Sequence, residues 1–183
     1  MLAGALAVAV LTAAAFTWGS AWATFTVATP TYSTTWSTGT VVLADDDAGS
    51  ALFSVSGLAP GAAGTRCITV TSTGSVPALV HLYVSTRTTT KALSSALTVA
   101  VVAGTGGGSG DCGTFAPATT VYRGTLAGFP TTWGAGVDAW TTAGSTAGET
   151  RSYQITWSLP ASASTGAQGG TASAAFTWEA QST

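Results

Sequence analysis

Apolar and polar positions alternate along much of the chain. Tyr153, Ile155, Trp157 and Leu159 fall on one side of an extended segment, with Ser152, Gln154, Thr156 and Ser158 on the other. Val80, Leu82 and Val84 oppose His81 and Tyr83. Ile68 and Val70 oppose Thr69 and Thr71, and Phe176 and Trp178 oppose Thr177 and Glu179. A two-residue period places successive side chains on opposite faces of a strand, so this pattern predicts antiparallel strands with one buried and one wetter face. Strand-like runs occur at residues 24–27, 40–43, 52–55, 65–72, 78–85, 97–102, 121–126, 150–159 and 172–178. Turn-forming clusters separate them, among them Pro60-Gly61, Ser72-Thr73-Gly74, Pro160 and Gly169-Gly170. Only residues 90–96 suit a helical turn. The expected fold is all-β, an antiparallel β-sandwich or jelly roll, preceded by an N-terminal apolar signal helix. The glycine-rich stretches at 104–110 and 128–144 read as loops.

Composition strengthens the strand reading. Charged residues make up 7% of the 183 residues, against about 25% in an average soluble domain. Thr, Ser, Ala, Gly and Val take their place, and β-branched residues favour strands. The formal net charge is −2, with five Lys and Arg in all. So few cations exclude a nucleic-acid surface, which needs clustered basic side chains. They also argue against electrostatic attachment to a membrane.

Residues 2–16 are almost unbroken Leu, Ala, Val and Gly, and Ala21-Trp22-Ala23 follows as a small-x-small site for signal peptidase. The expected organisation is a signal peptide at 1–23 and an N-terminal strand or linker at 24–40. A β-sandwich domain at 41–183 completes it. Cleavage between Ala23 and Thr24 would leave a secreted, extracellular or cell-surface protein with no membrane segment. Retained, the same stretch is long enough to act as an anchor. Cys67 and Cys112 are the only cysteines. In an exported chain they suit a disulfide; two free buried thiols or half of a metal site are the alternatives.

The sequence carries no recognisable catalytic constellation. His81 is the single histidine and none of the seven acids lies near it in the chain. A general base needs an orienting partner, and no sequence neighbour supplies one. Gly107-Gly108-Ser109-Gly110 is followed by Asp111 rather than the glycine of a nucleophile elbow. Asp45-Asp46-Asp47 is the densest charge cluster, with calcium ligation set against a solvated turn. No enzyme activity, cofactor or metal is expected. Trp157 and Trp178 sit at inward positions. Trp133 and Trp140 in the glycine-rich 128–144 stretch, and Trp36, remain as candidates for stacking on a cell-surface polysaccharide.

Several segments in order carry a family likeness. The leader runs into Ala23-Thr24-Phe25-Thr26, followed by Ser37-Thr38-Gly39-Thr40-Val41-Val42-Leu43. Leu58-Ala59-Pro60-Gly61 precedes Gly64-Thr65-Arg66-Cys67-Ile68-Thr69-Val70. Ala147-Gly148-Glu149-Thr150-Arg151-Ser152-Tyr153 and Phe176-Thr177-Trp178-Glu179-Ala180 close the series. The arrangement resembles the TasA/camelysin-like proteins with SipW-type signal peptides. That resemblance implies a jelly roll, export, and assembly into extracellular fibres of a biofilm matrix. In such assembly an N-terminal strand is donated to the next subunit. Here the donor would be the segment 24–38, with Thr24, Phe25, Thr26, Val27, Tyr32 and Trp36 as its candidate contacts. The same segment pairing within its own domain is the alternative. Two functions follow as expectations: a secreted structural subunit that self-associates by strand donation, or a non-catalytic module that binds a cell-surface polysaccharide.

Overall fold

Hydroxyl-rich, β-branched runs with a two-residue period do form strands. The computed structural model describes residues 39–47 and 58–183. Among these residues there are eight strands: β1 (Leu43–Asp45), β2 (Ala63–Ser72), β3 (Ala78–Thr89), β4 (Thr98–Thr105), β5 (Ala116–Thr125), β6 (Val137–Thr142), β7 (Glu149–Ser158) and β8 (Ala172–Ser182). One helical turn, α1 (Leu93–Ala96), lies between β3 and β4, inside the 90–96 stretch expected to be helical. The signal-peptide site at Ala21, Ala23 and Thr24, the donor segment with Phe25, Thr26, Val27, Tyr32 and Trp36, and the run 52–55 lie outside the described residues.

The strands form two antiparallel sheets. One has the order β1-β2-β7-β4-β5, the other β6-β3-β8. Their inner faces make a single core. Ile68 and Val70 from β2, Val99 and Val101 from β4, and Tyr153 and Ile155 from β7 meet Val80, Leu82 and Val84 from β3. The alternation read along the chain sets these faces directly. Val80, Leu82 and Val84 are fully buried, while His81 and Tyr83 between them reach the surface. Burial of apolar area at roughly 25 cal/mol per Å² drives the two sheets together.

Three features differ from the expectation. The run 40–43 begins pairing late, and β1 starts only at Leu43; Thr40 and Val42 instead accept bonds from Ser75 and Thr73 through their carbonyls. The 104–110 stretch is not a free loop. Thr105 ends β4, and the glycines that follow fold back over the outer face of the larger sheet, where the disulfide holds them. The 128–144 stretch contains β6, because its glycines flank a strand rather than interrupt one. Trp140 and Thr142 are buried and Ala139 and Thr141 exposed, which is strand alternation.

Candidate functional site

Cys67 lies on the outer face of β2 yet is fully buried. The loop after β4 covers it and is tied there by the Cys67–Cys112 disulfide, which spans 45 residues of sequence. Gly107 crosses Cys67 so closely that an added Cβ would lie 3.1 Å from the cysteine Cβ, and its φ of 70° also favours glycine. The Gly110 N–H donates to the Cys67 carbonyl at 2.9 Å. Thr69 donates its hydroxyl to the Gly107 carbonyl at 2.9 Å and lies 2.9 Å from the Ser152 hydroxyl. Ser152 is therefore buried although its position in the alternation is outward.

The acidic run meets this loop. Asp46 accepts from the Thr69 N–H at 2.9 Å through Oδ1 and from the Ser109 N–H at 2.7 Å through Oδ2. Its carboxylate is a clasp between β2, the disulfide loop and the end of β1. Asp45, beside it, has its carboxyl pushed up, first by burial and then by Asp47. Among the described residues no group of three or more His, Cys, Asp or Glu is placed to hold a metal ion.

The clasp positions one wall of a groove. Leu43, Ala44 and Asp45 of β1, with Val70 beneath, face Phe176, Thr177 and Trp178 of β8 across a cavity of about 180 Å³. Here the sandwich is open between the edges of its two sheets. Inward residues of β3 are fully buried, whereas Ala174, Phe176, Trp178 and Ala180 on β8 are only half-buried although they pack on the same core.

The four sheet edges are not alike. A strand edge carries a row of unpaired N–H and C=O groups, and proteins blunt it with shortness, proline, bulges or charge. β1 is three residues long and runs into three aspartates. β5 contains Pro117 and slips register twice against β4. β6 is bulged against β3, with Asp138 at a φ of 59°. β8 is eleven residues long with no proline or glycine. Its register against β3 is unbroken from Phe176↔Val84 to Ser182↔Ala78. Among the described residues, β8 pairs with β3 alone.

Trp140 does not present its ring to solvent. It packs into the core from β6, opposite Val80, and is 9% exposed. Trp133 does reach the surface, in the short 3-10 turn Trp133–Ala135 before β6. There it meets residues remote in sequence. His81 stacks on it with ring centroids 4.7 Å apart, and the two planes are inclined by 24°. Its carbonyl accepts from His81 Nδ1 at 2.8 Å, and its indole N–H donates to the Glu179 carbonyl at 3.0 Å. Glu179 is the cross-strand partner of His81. Its side chain accepts from the Tyr83 hydroxyl at 2.6 Å and from Gln181 Nε2 at 3.1 Å. The Tyr83 bond, then that of Gln181, lowers the Glu179 carboxyl, and the same bond raises the Tyr83 phenol. Tertiary structure thus brings an acid beside the lone histidine. The imidazole bonds to a backbone carbonyl rather than to that carboxylate, so the geometry is not that of an oriented general base.

Inside the sandwich, Asp138 and Arg151 form the one salt bridge among the described residues, at 2.6 Å, with the Asp138 side chain 5% exposed. Burial, then the charge of Asp138, pushes the neighbouring Tyr153 phenol far above its usual range. Glu149 opens β7 and accepts from the N–H groups of Ala143, Gly144 and Ser145, a nest that lowers its carboxyl.

Comparison of the chain with protein-family models finds no match. A search of curated proteins likewise finds none.

Proposed function

We propose that this chain is a secreted structural subunit that assembles with copies of itself by strand donation, without catalysis. The observation that carries the reading is the edge of β8, the longest of the four edge strands, without proline and in unbroken register from Phe176 to Ser182, its one register shift lying opposite Val84 and Thr86 nearer its start. Beside it runs the groove between Leu43 and Trp178, where the half-buried Leu43, Phe176 and Trp178 stand among Asp45 and Thr177. An added strand would satisfy the backbone groups of β8 and cover Phe176 and Trp178 together, the physics of β-augmentation. The donor in this reading is the segment 24–38 of a neighbouring copy, whose Thr, Val, Tyr and Trp content favours extended pairing and brings no charge. The disulfide supports an oxidising, extracellular setting. No helix among the described residues is long and apolar enough to cross a membrane. The repeated passage of the chain from one sheet to the other, at β2–β3, β3–β4, β5–β6, β6–β7 and β7–β8, supports the jelly-roll part of the resemblance.

The test is electron microscopy of protein spanning residues 24–183, beside a version lacking 24–38. Filaments are expected from the first and monomers from the second. A synthetic 24–38 peptide added to the short version should protect the β8 amides from hydrogen exchange. Monomers from both proteins, or filaments from both, would refute strand donation.

A further inference from the structure

The outer faces of the two sheets differ in chemistry. That of the larger sheet is hydroxyl-rich, with Thr65 and Thr156 3.0 Å apart across β2 and β7, and is capped by the disulfide loop. That of the smaller sheet carries aromatic rings: Tyr83 on β3 and Trp133 from the turn before β6, with His81 stacked between strand and turn. We infer that His81, Tyr83, Trp133, Glu179 and Gln181 form a binding site for a neutral saccharide on the outer face of β3 and β8.

The site is preorganised. Trp133 is fixed by its indole bond to the Glu179 carbonyl, by stacking on His81 and by the bond its own carbonyl accepts from His81 Nδ1. Gly136 lets the turn lie this close, since a Cβ there would fall 2.8 Å from the His81 Cβ. Gly134, one residue past the tryptophan, faces open space. The polar groups left over are mainly acceptors. A backbone carbonyl cannot donate, so His81 Nδ1 carries the proton of that bond and Nε2 is the ring nitrogen left over. The Tyr83 proton is committed to Glu179, which leaves the phenol oxygen and the remaining carboxylate lone pairs to accept. Aromatic faces beside a row of acceptors match a ligand with apolar C–H faces and hydroxyl donors. A negative ligand is disfavoured, because the cluster holds a carboxylate and no Lys or Arg. This inference is independent of strand donation, since it uses the face of β8 rather than its edge.

The test uses the full chain and four probes: cellohexaose, mannohexaose, chitohexaose and a hexalysine peptide. Binding is followed by calorimetry and tryptophan fluorescence. At least one hexasaccharide should bind. Trp133→Ala should weaken it by about tenfold or more, equivalent to about 1.4 kcal/mol. Tyr83→Phe, which preserves the ring and the fold but removes the hydroxyl, should weaken it about threefold, a loss of about 0.7 kcal/mol on the same scale. Near-UV circular dichroism shows that each variant is folded. Three results would overturn the inference: no binding of any hexasaccharide, saccharide binding unchanged in both variants, or tighter binding of hexalysine. The last would make the cluster a cation site.

Discussion

If Asp46 works as a clasp, its value must depend on the disulfide that holds its partner. Ser109 reaches Asp46 because Cys112 anchors the loop to Cys67, whereas Thr69 reaches it from β2 with no such help. Asp46→Ala removes the acceptor of both N–H groups. A hydrogen bond to a charged group contributes about 1.5–3 kcal/mol; the Ser109 contact is exposed, so the low end applies and the total is about 3 kcal/mol. Replacing both cysteines by Ala removes a 45-residue crosslink and costs roughly 4 kcal/mol on the chain-entropy model. Without the crosslink the Ser109 bond is lost too, and Asp46→Ala should then cost only about half as much. The coupling in the double-mutant cycle is therefore about 1.5 kcal/mol. Urea unfolding of the four proteins, followed by tryptophan fluorescence, measures it. Amide exchange at Ser109 and Thr69 locates it, with Ser109 losing protection in the cysteine-free protein and Thr69 keeping it. Equal cost of Asp46→Ala in both backgrounds would show that the loop holds its place without the disulfide and that Asp46 does not depend on it.

Three further outcomes are expected. Gly64→Ala puts a Cβ within 2.7–2.9 Å of the Trp157 indole. Overpacking of this kind costs about 1–3 kcal/mol, read as a lowered urea midpoint with shifted tryptophan emission; an unchanged midpoint would mean the indole moves aside freely. Arg151→Met leaves the enclosed Asp138 carboxylate without its cation and should cost about 3 kcal/mol, the low end for a broken buried pair because Arg151 is itself partly exposed; a loss below about 0.5 kcal/mol in chemical denaturation would contradict this. Glu149 has a carboxyl held below its ordinary value of 4.5 by the Ala143, Ser145 and Gly144 N–H groups. Its contribution is complete above that value and fades as pH falls through the lower, folded one. The stability gap between wild type and Glu149→Gln should thus be constant near neutrality and narrow on acidification, and a gap that widens in acid would refute the nest.

Much of the candidate site was half legible. The alternation around Val80 and around Phe176 put His81 and Glu179 on outer faces, but nothing local indicates that the two are cross-strand partners. Register is a property of the pair of strands, set by how their apolar faces meet. Trp133 and Trp140 look equivalent in the chain, seven residues apart among glycines. One enters the core and the other rests on a histidine, because β6 begins between them at Val137. The six residues Val137–Thr142 do not alternate apolar and polar side chains, Asp138 and Thr142 falling on the same side as Trp140, so no local pattern separated the two tryptophans. Asp46 could not be distinguished from Asp45 or Asp47 before the loop carrying Ser109 was seen to pass over it.

Period-two patterning, the scarcity of charge and the lone pair of cysteines are local or compositional facts. They were enough to decide that the described part of this chain is all-β and which strand faces turn inward. Which edge stays open, which tryptophan is covered and which acid stands beside the histidine depend on strand order and register. Those emerge only when two sheets settle against each other, because each placement is chosen by contacts between residues up to about a hundred positions apart, such as Tyr83 with Glu179.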